Sequence, residues 1–216
     1  MSGHSEGLMA VSRRPVRKLQ FHPLTSDRWN DLEALFGPHG ACGGCWCMYW
    51  RETRAEFEKR KGAANRRALK KLVMSGPSPG LLAYAEGRPV GWCAVAPREA
   101  YSTLARSRLL ARIDDAPVWS VPCFFISRPF RRAGLTARLL SAAVDFARKN
   151  GAKIVEGYPV EPTQGAMPDV FAFTGLAGAF RKAGFVEVAR RSPTRPIMRI
   201  YPGRKPTPRT TGRRAR

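Results

Sequence analysis

One segment, from Pro117 to Leu140, constrains the fold of this chain more than any other. Its first part is an apolar run that ends at Ile126 and is typical of a buried strand, and Ser127-Arg128-Pro129 then breaks the run. Its last part has the periodicity of an amphipathic helix, with apolar residues at Leu135, Leu139, Ala142 and Phe146. When a strand enters a helix through so short a turn, several backbone N–H groups point at one spot, with the positive end of the helix dipole behind them. The segment therefore predicts a binding site for a phosphate-bearing anion.

The turn itself carries the residues that such an anion needs. Arg131 and Arg132 bring two positive charges, and Gly134 lets a ligand approach the backbone closely. The spacing Arg-x-x-Gly-x-Thr, from Arg131 to Thr136, resembles the acyl-CoA-binding motif of the GNAT N-acetyltransferases, which is usually Gln/Arg-x-x-Gly-x-Gly/Ala. A second, independent segment, Arg181-Lys182-Ala183-Gly184-Phe185, is similar to the way in which the last helix of that family commonly ends.

The order of the sequence patterns and the resemblance indicate the same fold class, α/β (α+β). The patterns run strand, helix, helix, three strands, helix, strand, helix, strand, strand, which indicates a mixed sheet with helices on both faces. The resemblance covers about residues 17–201 and implies a GNAT-like, mostly antiparallel central sheet of about seven strands. We expect a single domain at 17–201 between disordered tails at 1–16 and 202–216, of which the second is basic. Its last helix is expected at 173–183.

The resemblance also implies a co-substrate, acetyl-CoA, and a place for it. In the family, the strand before the motif parts from the next strand, and pantetheine lies in the gap. Pro122 fits such a place because proline cannot donate to a sheet ladder and belongs at a bulge or where strands separate. By resemblance, backbone groups of Phe125 and Ile126 pair with the pantetheine amides. The pyrophosphate is then bound by N–H groups of the turn, namely those of Arg131, Arg132, Ala133, Gly134, Leu135 and Thr136.

The implied reaction is direct attack of a small-molecule amine on the acetyl thioester, which needs groups that move protons. Family members often carry a tyrosine as general acid at the position of Phe180, and phenylalanine has no proton to donate. We therefore consider Glu156 and Tyr158 as catalytic candidates, because strand alternation places them on one face. Glu161 in the following loop is a third candidate, and Cys123 can face the cofactor from the preceding strand.

The segment from His39 to Arg51 has the most unusual composition of the chain and admits three interpretations. In the first, Trp46, Met48, Tyr49 and Trp50 form the wall of the acceptor site. In the second, Cys42, Cys45, Cys47 and His39 bind zinc, although structural zinc sites usually pair two separated ligand pairs, so no metal is expected. In the third, the cysteines are small apolar residues of a loop packed on the core.

Composition limits the remaining possibilities. The formal net charge is +22, and residues 202–216 contain six basic and no acidic residues. Such charge favours polyanionic partners, so a nucleic-acid- or ribosome-associated protein that binds through its basic tails is an alternative to the enzyme. No apolar run reaches the roughly 18 residues of a membrane span, and the beginning of the sequence lacks a secretory pattern. We expect a cytoplasmic monomer or homodimer whose five cysteines are reduced.

Overall fold

A computed structural model describes residues 18–163 and 172–203 of the protein. The expectations for the tails at 1–16 and 202–216 lie outside the described residues, apart from positions 202 and 203. The α-helices are α1 (Trp29–Phe36), α2 (Arg54–Arg60), α3 (Ala63–Ser75), α4 (Ser102–Arg106), α5 (Leu135–Lys149) and α6 (Ala177–Lys182). The strands are β1 (Leu19–Pro23), β2 (Gly80–Ala85), β3 (Arg88–Pro97), β4 (Trp119–Ile126), β5 (Val155–Gly157), β6 (Val186–Arg190) and β7 (Pro196–Ile200).

The seven strands form one sheet in the order β1-β2-β3-β4-β5-β7-β6. Neighbouring strands are antiparallel except β4 and β5, which are parallel and connected through α5. A hairpin joins β2 to β3, and its two turn residues, Glu86 and Gly87, both have positive φ angles, as the tight turn between twisted strands requires. The predicted mixed and mostly antiparallel sheet of about seven strands is confirmed.

Helices cover both faces of the sheet, as predicted. On one face, α5 and α6 pack on side chains of alternate strand positions such as Ala83, Cys93 and Val121. On the other face, α1, α2 and α3 pack on the intervening positions, among them Leu82 and Trp92. The alternation of strand side chains thus gives two apolar layers, and the strands between them are buried on both faces.

The sheet opens at Pro122. The parallel pairing of β4 with β5 joins only Trp119–Val121 to Val155–Gly157, and it ends just before the proline. The register between β3 and β4 is irregular at the same level, between Ala94 and Ala96. Proline has no N–H to donate, so the ladder cannot continue through it, and the second half of β4 is left with a neighbour on one side only.

Candidate active site

The turn between β4 and α5 has the geometry of an anion site. Gly134 precedes the first helical residue and has a left-handed conformation, with φ 76° and ψ 6°. Arg132 is left-handed as well, with φ 59°, and the Nε of Arg131 donates to the carbonyl oxygen of Ile126 at 3.0 Å. Leu135 is buried in the core and fixes the first turn of α5 against the sheet. The first N–H groups of an α-helix have no partner within the helix, so those of α5 are available where it begins.

A single large cavity of about 1290 Å³ connects this turn with the 39–51 segment. Seven of the eight residues predicted to bind the cofactor line it, namely Phe125, Ile126, Arg131, Arg132, Gly134, Leu135 and Thr136, whereas Ala133 does not. Pockets for one small ligand usually measure about 300–1,000 Å³. The cavity is therefore large enough for two substrates that must meet.

The backbone of β4 inside the cavity corrects one prediction. The N–H of Ser127 donates to Val90 of β3, and the N–H of Phe124 points the opposite way and donates to the carbonyl of Phe173 at 2.7 Å. Because N–H directions alternate along a strand, Phe125 directs its backbone groups to β3, whereas Phe124 and Ile126 direct theirs into the opening. Phe125 therefore contributes its side chain to the cavity, and its backbone is not free to pair with a cofactor.

Two of the four residues predicted for the acceptor wall line the cavity. Tyr49 and Trp50 line the cavity, and the Tyr49 ring contacts those of Trp50, Phe57 and Phe173 edge to face. Trp46 is instead buried in the core, where its ring stacks on that of Trp29.

Met48 is likewise buried in the core beneath α1 and α3. Trp46 and Cys47 both have left-handed backbones, with φ 43° and 56°, so the chain turns sharply between the buried Trp46 and Tyr49. Of the four aromatic and methionine residues considered, only Tyr49 and Trp50 thus line the cavity.

The cysteines of the loop do not assemble the zinc site considered above. The thiol of Cys45 donates to the carbonyl of Gly40, while the sulfur of Cys47 accepts a hydrogen bond from Trp92 Nε1 at 3.1 Å. Within residues 18–163 and 172–203, no three His, Cys, Asp or Glu side chains come together as metal ligands. Cys42, Cys45 and Cys47 all line the cavity, so their surroundings are those of a pocket wall.

Cys47 and Cys123 of β4 both line the cavity. A hydrogen bond from Cys123 lowers the pKa of the Cys47 thiol, with further contributions from Trp92 and from the charge of Arg51. The same hydrogen bond, together with burial, raises the pKa of Cys123 well above its usual range. The pKa values of the two thiols are thus shifted in opposite directions.

Glu156 and Tyr158 share one face of the sheet, as alternation predicts, but they do not line the cavity. The Glu156 carboxylate accepts hydrogen bonds from Arg98 Nη1 at 2.9 Å, from Arg199 Nε at 2.7 Å and from the Tyr158 hydroxyl at 2.8 Å. Both side chains are at most 1% exposed, and burial raises the pKa of Tyr158 well above its usual range. The hydroxyl groups of Ser120 and Tyr158 are also hydrogen-bonded to each other. These contacts describe a closed ionic network in the interior and give no path for either residue to touch a substrate.

Phe180 is a residue of the hydrophobic core. Its ring is fully buried and packs against Phe124 and Phe185. A Cβ atom added to Gly157 would lie 2.0 Å from the ring, so glycine is required at that position for the ring to fit. The phenylalanine that stands where the family often has a tyrosine is therefore part of the core.

Arg195, which the sequence patterns did not single out, lines the cavity opposite β4. It is half-buried next to Tyr49, and burial lowers its pKa. Its Nη1 donates to the hydroxyl of Thr174 at 3.2 Å, and no carboxylate of the described residues pairs with it. Glu161 also lines the cavity, but Arg190 and Arg181 bind its carboxylate and lower its pKa.

A family model for acetyltransferases of the GNAT family matches residues 45–168, more than half of the chain. The chain belongs to the GNAT family. Members of this family are acetyltransferases that use acetyl-CoA, so the resemblance that the sequence motifs indicated is confirmed. No curated protein matches the chain. Among the described residues, none of the helices has the length and apolar character needed to cross a membrane.

Several solved structures of acetyltransferases are similar to this chain. A GNAT acetyltransferase of Streptococcus agalactiae is 13% identical, with a TM-score of 0.52 over 86% of this chain and 96% of that one. A candidate acetyltransferase of Salmonella typhimurium, solved with its cofactor acetyl-CoA, is 12% identical, with a TM-score of 0.47 over 89% and 98% of the two chains. A ribosomal-protein-alanine N-acetyltransferase of Brucella melitensis is 16% identical, with a TM-score of 0.47 over 84% and 99%.

Proposed function

We propose that this GNAT protein transfers an acetyl group from acetyl-CoA to the amine of a small-molecule acceptor by direct attack on the thioester. The observation that carries the proposal is the single cavity that connects the basic turn before α5 with the aromatic side chains of the 39–51 segment. One end offers charge and backbone N–H groups, and the other offers an apolar surface. A nucleotide cofactor and a small apolar amine fit these two ends.

The cofactor end has specific proposed partners. The N–H groups at the beginning of α5 and the side chains of Arg131 and Arg132 would bind the pyrophosphate. From there the pantetheine arm would follow the unpaired edge of β4 past Ile126 toward Phe124, whose N–H is held by Phe173 in this structure. Bound acetyl-CoA supplies the activated acetyl group, and the protein supplies its position and a water-poor cavity.

For the acceptor we propose an amine with an apolar body and a carboxylate. Arg195 is a half-buried cation without a carboxylate partner among the described residues, and a ligand carboxylate would offset its loss of hydration. The rings of Tyr49, Trp50 and Phe173 beside it would contact the apolar body. Arg195 directly precedes β7 and lines the same cavity as Phe124 of β4, where an arm that starts at the turn would end.

The cofactor proposal is tested by the melting temperature with and without acetyl-CoA. We expect the cofactor to raise it in the wild type and to have no effect in Gly134→Glu, because the new carboxylate repels the pyrophosphate. Gly151→Glu is the matched control, since Gly151 also has a positive φ angle and open space but lies beyond the other end of α5. No shift in the wild type at millimolar acetyl-CoA would contradict the proposal.

The acceptor proposal is tested by release of free thiol with two amines that differ only in the carboxylate, L-phenylalanine and phenethylamine. We expect a higher kcat/KM for L-phenylalanine in the wild type and loss of this preference in Arg195→Gln. If Arg195→Gln prefers L-phenylalanine as strongly as the wild type does, Arg195 does not bind the carboxylate. This conclusion does not depend on the outcome of the cofactor test.

A further inference from the structure

Within the 39–51 segment, the sequence Cys42-Gly43-Gly44-Cys45 folds as one tight turn. The backbone N–H of Cys45 donates to the carbonyl of Cys42 at 3.1 Å. Gly43 and Gly44 both have positive φ angles, 54° and 73°, as the two central residues of a type I′ turn require. The hydrogen bond closes the turn, so the two cysteines lie opposite each other at its ends.

The ends of such a turn are as close together as a disulfide needs. The first and fourth Cα atoms of a β-turn lie within about 7 Å of each other, and the two Cα atoms of a disulfide usually lie about 4.4–6.8 Å apart. Cys42 and Cys45 are both free cysteines, and both line the same cavity. The backbone of the turn is therefore compatible with a bond between their sulfurs.

The rest of the fold holds this turn in place. The carbonyl of Gly44 accepts hydrogen bonds from the N–H of Gly62 at 2.9 Å and from Asn65 Nδ2 at 3.3 Å. A Cβ atom added to Gly44 would lie 2.5 Å from the same Gly62 nitrogen, so the turn packs closely on the chain between α2 and α3. The fold therefore keeps the ends of the turn close together.

The two cysteines differ in access. Cys42 is exposed, whereas Cys45 is half-buried and its thiol donates to the carbonyl of Gly40 at 3.7 Å. Burial raises the pKa of the Cys45 thiol. Attack on a disulfide from solution needs an accessible thiolate, so Cys42 is the thiol that reacts first.

The other three cysteines are less accessible. Cys93 is fully buried in the core, and Cys47 is 5% exposed, with its sulfur accepting an indole N–H at 3.1 Å. Cys123 is half-buried within β4. Only the Cys42–Cys45 turn thus combines an exposed thiol with a second cysteine at the other end of one hydrogen-bonded turn.

We infer that Cys42 and Cys45 are a site of reversible disulfide formation by exchange with a low-molecular-weight disulfide. The Cys42 thiolate attacks one sulfur of this disulfide and forms a mixed disulfide, while the electrons of the broken S–S bond leave with the other sulfur. The Cys45 thiolate then attacks the Cys42 sulfur and releases the second small thiolate. Two protein thiols are oxidised, one small disulfide is reduced to two thiols, and these take up the two protons that the cysteines lose.

The inference goes beyond the proposed function and does not rest on it, because the exchange needs neither acetyl-CoA nor an acceptor. It does concern the same cavity, since both cysteines belong to its wall. Oxidation would therefore alter the wall against which a substrate binds.

The test treats the folded, reduced protein with oxidised glutathione and follows the tryptic peptide 29–51 by mass spectrometry. We expect this peptide to lose about 2 Da, the mass of two hydrogens, and dithiothreitol to restore it. Cys47→Ser is the matched control and should behave like the wild type. Cys42→Ser should form no internal bond, and Cys45→Ser should retain glutathione on Cys42, because the thiol that releases it is missing.

A second measurement tests the contribution of the folded turn. The equilibrium constant for exchange with glutathione is measured in buffer and in concentrated urea, and we expect it to be at least about tenfold larger in the folded protein. The inference is overturned if the folded protein does not form the bond, if Cys47→Ser loses it, or if folding does not increase the equilibrium constant.

Discussion

Replacement of Glu156 by glutamine separates a structural role of this carboxylate from a catalytic one. Glu156 is 1% exposed and accepts hydrogen bonds from Arg98, Arg199 and Tyr158. Glutamine has nearly the same shape, but it is neutral. Its NH₂ group would also point at the N–H donors of the arginines, from which the carboxylate oxygen accepts. Arg98 and Arg199 would then share the interior without this anion, and Arg199 would keep its pair with Asp114.

The expected loss of stability follows from the burial of this ion pair. Removing one partner of a buried ion pair typically costs about 3–5 kcal/mol of unfolding free energy. For a domain of this size each kcal/mol lowers the melting temperature by about 2–4 °C, so Glu156→Gln should lower it by roughly 6 to 20 °C. Differential scanning calorimetry and urea titration measure the effect.

The control and the refuting outcome use the same assays. Glu99→Gln removes one partner of the exposed pair with Arg112, and we expect a change within about 0.5 kcal/mol. Below its melting temperature, folded Glu156→Gln should retain the kcat of the wild type to within a few fold. If kcat falls about 100-fold while the melting temperature stays within about 2 °C of the wild type, Glu156 is a catalytic group and the interpretation of the network is wrong.

Two further predictions concern packing and pH. Gly157→Ala would bring a Cβ to 2.0 Å from the Phe180 ring and should lower the unfolding free energy by about 1–3 kcal/mol in urea titrations. Gly178→Ala in α6, where nothing lies within 4 Å, should instead be neutral or stabilising by up to about 1 kcal/mol. A hydrogen bond from Arg190 lowers the pKa of Glu187, so its contribution is present above its unfolded pKa of about 4.3 and is lost as pH falls through the folded value. Wild type and Glu187→Gln should therefore differ in urea midpoint at pH 6, and the difference should shrink as pH falls below about 4.3; a constant difference would contradict the assignment.

Local patterns were sufficient to predict the strand, the turn and the helix that meet at one end of the cavity. The strand, the basic turn and the amphipathic helix that begins at Leu135 are adjacent in the chain, so their relative placement depends on backbone geometry that sequence periodicity reflects. Pro122 similarly marks the opening because its effect on the β4 ladder is local. Phe180 was correctly set apart from the family tyrosine by its chemistry alone.

The acceptor side could not be predicted as well, because it depends on contacts between distant residues. Alternation placed Glu156 and Tyr158 on one face, but it does not say that Arg98 and Arg199, 58 and 43 residues from Glu156, close that face. The predicted helix at 173–183 begins only at Ala177.

The 39–51 segment has no periodicity, so the sequence does not show which of its aromatic residues turn inward. Two consecutive left-handed residues decide this in the structure. No sequence motif marks Arg195 as a site residue. The pattern that comes nearest to finding it is a basic residue directly before the last strand.

The short junction between β4 and β5 has a consequence for folding. Three residue pairs are the backbone link between the N-terminal strands and the unit formed by β5, β7 and β6. Side chains of the Arg98–Glu156 network cross the same junction, so much of the cooperativity between the two units depends on buried charge. Weakening that network would let the C-terminal unit open by itself, and its amide hydrogens would then exchange with solvent before those of β2 and β3. We therefore expect the cooperativity of unfolding to depend on the buried Arg98–Glu156 pair as well as on the three backbone pairs.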